Sequence, residues 1–385
     1  MKYSVPFNKP FIVGKELYYI SQSVFSGKIA GDGLFTKKCH ELMQEKFGIK
    51  KVLLTHSCTA ALEMAAILCD IKEGDEVILP SFTFVSTANA FYLRGAKLVF
   101  VDINRDTLNM DETQIEKAIT DRTKVIVPVH YAGVACEMDA IMDIAKRNNL
   151  FVVEDAAQGV NSRYRDRFLG TIGDIGTYSF HETKNFICGE GGAIAINNDR
   201  FMERAEIIRE KGTNRSKFFR GEIDKYNWVD IGSSFLPSDL VAAFLYAQLE
   251  NMDQINIKRE KIFDHYNKAL IPLANDGRLR LPYLSSECRS NNHLFYIILN
   301  DEDTRDRLMD YLKARGILAV FHYLPLHLSP VGLSMGYREK QFPVTESMSS
   351  RLLRLPFYYE LKQEEQDFVV KTIKDFFNEE HRKVN

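Results

Sequence analysis

The sequence predicts an α/β protein, a mostly parallel sheet with helices on both faces followed by a smaller C-terminal α+β unit. Three observations predict it. Short apolar runs alternate with amphipathic stretches through the first half, the pattern of parallel strands joined by crossover helices. Of 385 residues, 45% are hydrophobic and 26% charged, enough apolar material for more than one core. A long helical pattern, 238–270, then separates that alternation from a second set of strand and helix signals.

Residues 15–47 read as helical pieces around a turn-rich stretch, 26–33. The runs 51–54, 76–79, 97–101, 124–129 and 150–154 are expected strands, with helices near 59–70, 85–94, 113–119 and 138–148 between them. Residues 175–180 and 193–197 give two more strands. The loop joining them replaces a crossover helix, so one of the two is expected to run antiparallel. In 238–270, Ala242, Ala243, Leu245, Leu249, Met252 and Ile255 recur near helical spacing. Beyond lie expected strands at 293–299 and 317–321 and helices near 303–315 and 363–378. The expected division is 1–250 for the N-terminal helices and large domain and 251–385 for the small one. No repeat or low-complexity segment occurs, and disorder is expected only in the last few residues.

Composition excludes several classes. A net charge of -2 gives no pull towards nucleic acid or an anionic membrane. The six cysteines, Cys39, Cys58, Cys69, Cys136, Cys188 and Cys288, form no C-x-x-C pair, which points to reduced thiols and a cytoplasmic setting. The first residues contain no apolar run, and no stretch of about 18 apolar residues occurs, so neither a leader nor a membrane span is expected.

The chemistry concentrates at Ser179-Phe-His-Glu-Thr-Lys184, which follows an expected strand and precedes the glycine-rich Gly189-Glu-Gly-Gly192. Upstream, Val152-Val-Glu-Asp155-Ala-Ala-Gln158 is an apolar strand ending in an acid. A carboxylate there faces the crevice where α/β folds bind ligands. A lysine paired with such an aspartate is what a pyridoxal 5′-phosphate (PLP) site requires. The amine condenses with the cofactor aldehyde, and the acid keeps the pyridine nitrogen protonated. Taken alone, Asp155 would cap a helix starting at Ala156 and Lys184 would be a solvated loop lysine; together they favour the cofactor. Ser57-Cys58-Thr59 opens a helix and is equally an N-cap or a phosphate site. Ser179 can add a phosphate hydroxyl, and Phe84 can cover the pyridine face. His181-Glu182 lacks the second histidine of H-E-x-x-H, since Asn185 stands there. His322 and His327 have no acid or cysteine cluster to complete a metal site, so no metal is expected. No dinucleotide fingerprint, Walker loop or G-x-S-x-G elbow is present.

These strings, with Pro6-Phe-Asn8, Ser57–Ala61, Pro80-Ser-Phe-Thr-Phe84-Val-Ser-Thr87 and Phe321-His-Tyr-Leu-Pro-Leu-His327, resemble the DegT-type sugar-nucleotide aminotransferases over nearly the whole length. The resemblance implies the aspartate aminotransferase-like PLP fold, type I. It implies Lys184 as the PLP-bearing catalytic lysine, Asp155 on the pyridine nitrogen and Gln158 on the ring hydroxyl. Cys58, Thr59 and Ser179 would hold the phosphate, with Phe84 stacked on the ring. It further implies a homodimer whose sites are shared, a loop of one subunit reaching into the other. Many members carry Gly-Tyr-Asn-Tyr in that loop. Here Gly232-Ser-Ser234-Phe stands in its place, making Ser234 the expected substitute for the asparagine. Arg215, Arg220 and His322 are the expected sugar-nucleotide contacts, since a diphosphate wants cationic donors. Val127–Met138, Ile208–Ser216 and Asp230–Ser234 resemble the branch that aminates a dTDP-4-keto-6-deoxy sugar with L-glutamate as donor.

Overall fold

The computed structural model describes residues 3–384; Met1 and Lys2, and Asn385 of the expected disordered C-terminal end, lie outside the described residues. The first strands are β1 (Lys51–Thr55), β2 (Glu76–Pro80), β3 (Lys97–Val101), β4 (Thr123–Ile126) and β5 (Phe151–Asp155). A two-residue pair follows, β6 (Arg163–Tyr164) and β7 (Arg167–Phe168), and then β8 (Ile175–Ser179) and β9 (Gly192–Ile196). Seven of these form one sheet in the order β1-β9-β8-β5-β4-β2-β3. β2 pairs in parallel with β3 and β4, β4 with β5, and β5 with β8; β9 runs antiparallel to both β8 and β1. The expected reversal therefore falls on β9.

Pleating decides where the cores lie. Val52, Leu54, Ile78, Ile126 and Val152 point to one face and pack on helices Leu34–Phe47, Met138–Arg147 and Asp239–Leu249. Their neighbours Leu53, Val77, Leu79, Val125 and Val153 point to the other and pack on Cys58–Leu68 and Val85–Tyr92. Because alternate residues are apolar on both faces, each strand reads as an unbroken apolar run, the signature of a sheet covered on both sides.

The C-terminal part supplies β10 (Leu279–Arg280), β11 (Cys288–Arg289), β12 (Tyr296–Leu299) and β13 (Leu352–Arg354). β10, β12 and β13 form an antiparallel sheet, and β11 joins β6 and β7. Helices Met252–Asn275, Glu302–Ala314 and Gln363–Val384 share a core with that sheet, and Val5 from the chain start is part of it.

Two expectations need correction. The 238–270 pattern is two helices, Asp239–Leu249 and Met252–Asn275. The break falls at Asn251, whose side-chain amide donates to the Ala247 carbonyl at 2.9 Å and so competes with the helix backbone. All six periodic residues are nonetheless buried, so the apolar stripe continues across the break. Residues 317–321 form no strand. Ile317 bridges Val5 while Val320 bridges Arg354, and a segment that changes partner after three residues builds no ladder. That departure carries Phe321, His322 and Tyr323 off the sheet edge and into the cavity described next.

Candidate active site

The carboxyl ends of β1, β2, β5 and β8 open on a cavity of about 790 Å3. Its walls include Cys58, Thr59, Phe84, Asp155, Gln158, Ser179, Lys184 and His322. Eight of the sequence-predicted site residues thus meet in one place, as expected for ligands of parallel sheets.

Lys184 sits in a loop pinned at its base. Phe180 donates its amide to Gly191, Cys188 donates to Phe180 and Glu182 donates to Gly189, at 2.8 to 2.9 Å. The Lys184 amide itself donates to the His181 carbonyl at 2.9 Å. The loop is therefore a closed hairpin tip, and the lysine on it is half-buried. Burial lowers the Lys184 amine below its ordinary value; the Arg354 guanidinium adds to this and the Asp155 charge opposes it. The outcome favours a free amine, the form that attacks a carbonyl carbon.

Asp155 is 5% exposed, yet its two oxygens are engaged. Oδ2 accepts the Thr87 hydroxyl at 2.7 Å, and Oδ1 accepts the Ala157 amide at 3.1 Å. Capping and ligand binding coexist here: the carboxylate closes a turn, with no helix following, while still facing the cavity.

The wall at the Ser57–Thr59 turn suits an anion. Ser57, in extended conformation, caps helix Cys58–Leu68 by accepting the Ala60 amide at 3.1 Å. The cap leaves first-turn amides of that helix pointing out of its N-terminus, where the helix dipole favours negative charge. The Thr59 hydroxyl donates to Ser86 Oγ at 2.8 Å, and Ser179 Oγ faces the same cavity. Gly192 explains the glycine-rich motif. A Cβ there would lie 2.4 Å from the Ser57 carbonyl carbon and 2.5 Å from the Cys58 nitrogen, so the start of β9 passes directly beneath this turn. Gly191 likewise accommodates Cys188 Sγ. Gly192 thus fits the loop against the chain's own Ser57–Cys58 turn. An acid, an amine and a helix N-terminus with hydroxyls lining one cavity are the groups that the pyridine nitrogen, aldehyde and phosphate of PLP call for.

Gln158 is committed more fully than expected. Its Oε1 accepts the Ala132 amide at 2.7 Å, and its Nε2 donates to the Tyr323 hydroxyl at 2.7 Å. Sequence reasoning missed Tyr323, which stacks on His322 with ring centroids 3.7 Å apart and lies 6.3 Å from Phe84. It also missed Arg354 on β13. Arg354 donates twice to the Phe321 carbonyl, lies over the Phe7 ring and lines the cavity. Among the described residues it has no carboxylate partner. The bridge to Val320 places it, and nothing in the sequence near 354 signals that. His322 accepts or donates at Nδ1 with the Tyr131 hydroxyl at 2.6 Å, and burial, with the nearby Arg354 charge, pushes its pKa below the ordinary imidazole value.

Three predicted residues stand elsewhere. Arg215 pairs with Glu210, and Arg220 with Glu206 and Glu222. Ser234 bridges Glu210 in backbone pairing. None of the three lines this cavity.

The model of the DegT/DnrJ/EryC1/StrS aminotransferase family matches residues 11–374. The chain belongs to that family. It is 37% identical over 319 residues to the "Pleiotropic regulatory protein" of Geobacillus stearothermophilus, 82% of each chain. It is 32% identical over 379 residues to the spore coat polysaccharide biosynthesis protein SpsC of Bacillus subtilis, 96% of each. Spr1654 of Streptococcus pneumoniae in its PLP form superposes with a TM-score of 0.89 at 26% identity, covering 97% of this chain and 98% of that one. Its PMP form gives a TM-score of 0.90. The fold is thus the aspartate aminotransferase-like PLP fold, and the chain is an aminotransferase acting on sugars.

Proposed function

We propose that this enzyme moves the amino group of L-glutamate to carbon 4 of dTDP-4-dehydro-6-deoxyglucose, giving dTDP-4-amino-4,6-dideoxygalactose and 2-oxoglutarate. The cofactor is pyridoxal 5′-phosphate. One observation carries the catalytic reading: a lysine whose pKa burial lowers and a hydrogen-bonded aspartate face one cavity that a capped helix N-terminus also lines.

When bound, the cofactor supplies an electron sink for the carbon from which a proton is taken. Asp155 would hold the pyridine nitrogen. The hydroxyls of Thr59 and Ser179 and the amides of the Cys58 turn would hold the phosphate, and Phe84 would cover the ring. Lys184 would hold the cofactor through its aldehyde, and its amine is the group that would take and return the proton at glutamate Cα. A positioned amine makes that transfer effectively intramolecular. In the second half Lys184 would deliver a proton to the sugar C4, and the face it serves would set the galacto or gluco configuration. Arg354, a cation without a carboxylate partner inside the cavity, suits the carboxylates of the donor.

Arg215, Arg220 and Ser234 stay outside their own cavity, which supports the expected homodimer in which they serve the partner's site. Exposed apolar side chains nearby, Phe219 and Trp228, suit such an interface. The resemblance of Val127–Met138 to the 4-aminating branch supports the sugar assignment, and enterobacterial common antigen or O-antigen synthesis is the corresponding biological setting. Six free cysteines fit the cytoplasm.

The test is incubation with L-glutamate and a panel of keto-sugar nucleotides, with NMR of the product. A C4 amine in galacto configuration on the dTDP sugar is expected. A gluco product or a C3 amine would reassign the substrate branch. No glutamate-dependent conversion of the cofactor to its amine form would overturn the catalytic reading itself.

A further inference from the structure

The segment after β2 and the first turn of helix Val85–Tyr92 place two threonines, Thr83 and Thr87, behind Asp155. Thr83 is 2% exposed and Thr87 fully buried. The Thr87 hydroxyl lies 2.7 Å from Asp155 Oδ2 and 2.8 Å from the Thr83 hydroxyl. A hydroxyl has one proton. A carboxylate oxygen can only accept, so the Thr87 proton goes to Asp155. Thr87 can then only accept from Thr83, and the chain has a fixed direction, Thr83 to Thr87 to Asp155. Charge-assisted bonds of this kind are the stronger ones, and each link polarises the next. With the Ala157 amide on Oδ1, the carboxylate is held from both sides and cannot rotate without breaking a buried bond.

The two threonines also flank Phe84, the residue at the N-terminus of helix Val85–Tyr92, and the Thr87 amide donates to the Phe84 carbonyl at 3.2 Å. A single five-residue stretch therefore fixes both the acid and the ring expected to cover the cofactor. Deleting one hydroxyl leaves a buried acceptor short of a donor, a cost the surrounding side chains cannot offset.

We propose that Thr87, oriented by Thr83, is a positioning residue that presents the Asp155 carboxylate to the pyridine nitrogen of the bound cofactor. The inference rests on Asp155 being that nitrogen's partner. The titratable groups facing Asp155 are Lys184 on the β8–β9 loop, Cys58 at the helix N-terminus and Tyr323 from the C-terminal part. None of them donates a hydrogen bond to it in this structure.

The holoenzyme reconstituted with 15N-labelled cofactor tests this without any sugar nucleotide. In wild type the pyridine nitrogen is expected at the protonated chemical shift. Thr87→Val keeps the shape and removes the proton donor; the resonance should move towards the neutral pyridine position, and kcat for the glutamate half-reaction should fall about 10-fold while KM changes little. Thr87→Ser should restore both. Thr83→Val should shift the resonance the same way by a smaller amount, and it serves if Thr87→Val does not fold. A wild-type 15N shift in folded, cofactor-loaded Thr87→Val and Thr83→Val overturns the proposal. An unprotonated nitrogen in wild type overturns it together with the Asp155 assignment. A non-native product sugar touches neither.

Discussion

Two regions of this chain carry predicted ligand contacts, and they are built differently. On the cofactor side, Asp155, Ser179 and the Ser57–Cys58 turn sit at the ends of central strands and are fixed by buried hydrogen bonds and by the close passage of Gly192. In the segment 211–235 the only helix is the short Arg215–Phe219, and its arginines pair with acids of the same subunit. Trp228 there is 82% exposed. The predicted cofactor contacts Asp155, Ser179 and Cys58 line the cavity of their own chain, whereas Arg215, Arg220 and Ser234 do not. In the proposed homodimer, the site would combine a half set by the sheet with a half that binds only against the other subunit.

The contrast can be broken or sharpened by experiment. The largest effect is expected from Lys184→Ala, a loss of about 10^3-fold or more in transamination with the fold unchanged by circular dichroism. Near wild-type turnover would remove the half set by the sheet from the chemistry. Next, Arg220→Gln should weaken the sugar nucleotide, and mixing it with Lys184→Ala protein should restore activity many-fold over either alone. Recovery requires one intact site per mixed dimer; its absence would place Arg220 outside the site altogether. A smaller effect is expected from Gly192→Ala. The new methyl meets backbone with no flexible side chain to yield, so stability should fall by about 1–3 kcal/mol by urea unfolding, with weaker phosphate retention. The smallest concerns pH. Burial lowers the Lys184 pKa in the folded protein, so between that value and the ordinary lysine value the unfolded chain binds the extra proton. Cofactor-free wild type should therefore gain stability as pH rises through that window. Lys184→Met should lack this slope, and equal slopes in urea midpoint against pH would contradict the burial argument.

Most of the fold was legible because the strands are short apolar runs with nearly local boundaries. The break at Asn251 was not, since a single asparagine interrupts a periodicity that continues across it. The missing 317–321 strand was not either: its β-like composition is real, but pairing depends on partners at Val5 and Arg354, far away in the chain. The cofactor-side residues were legible because each belongs to a local strand-to-loop or loop-to-helix junction. Tyr323 and Arg354 were invisible as cavity residues, because their place depends on how the C-terminal segments lie against the large sheet.

By itself, the sequence determined the alternation of strands and helices, the acid at one strand end and the lysine in the loop after another, and the family to which those strings belong. These are properties of short segments, written in residue type and spacing. The tertiary structure decided which strand reverses, why Gly192 can bear no side chain, that Thr87 rather than a charged group holds Asp155, and which cations share the cavity. Those depend on distances between residues remote in the chain, and contacts of that kind follow from packing the whole sheet and its neighbours at once.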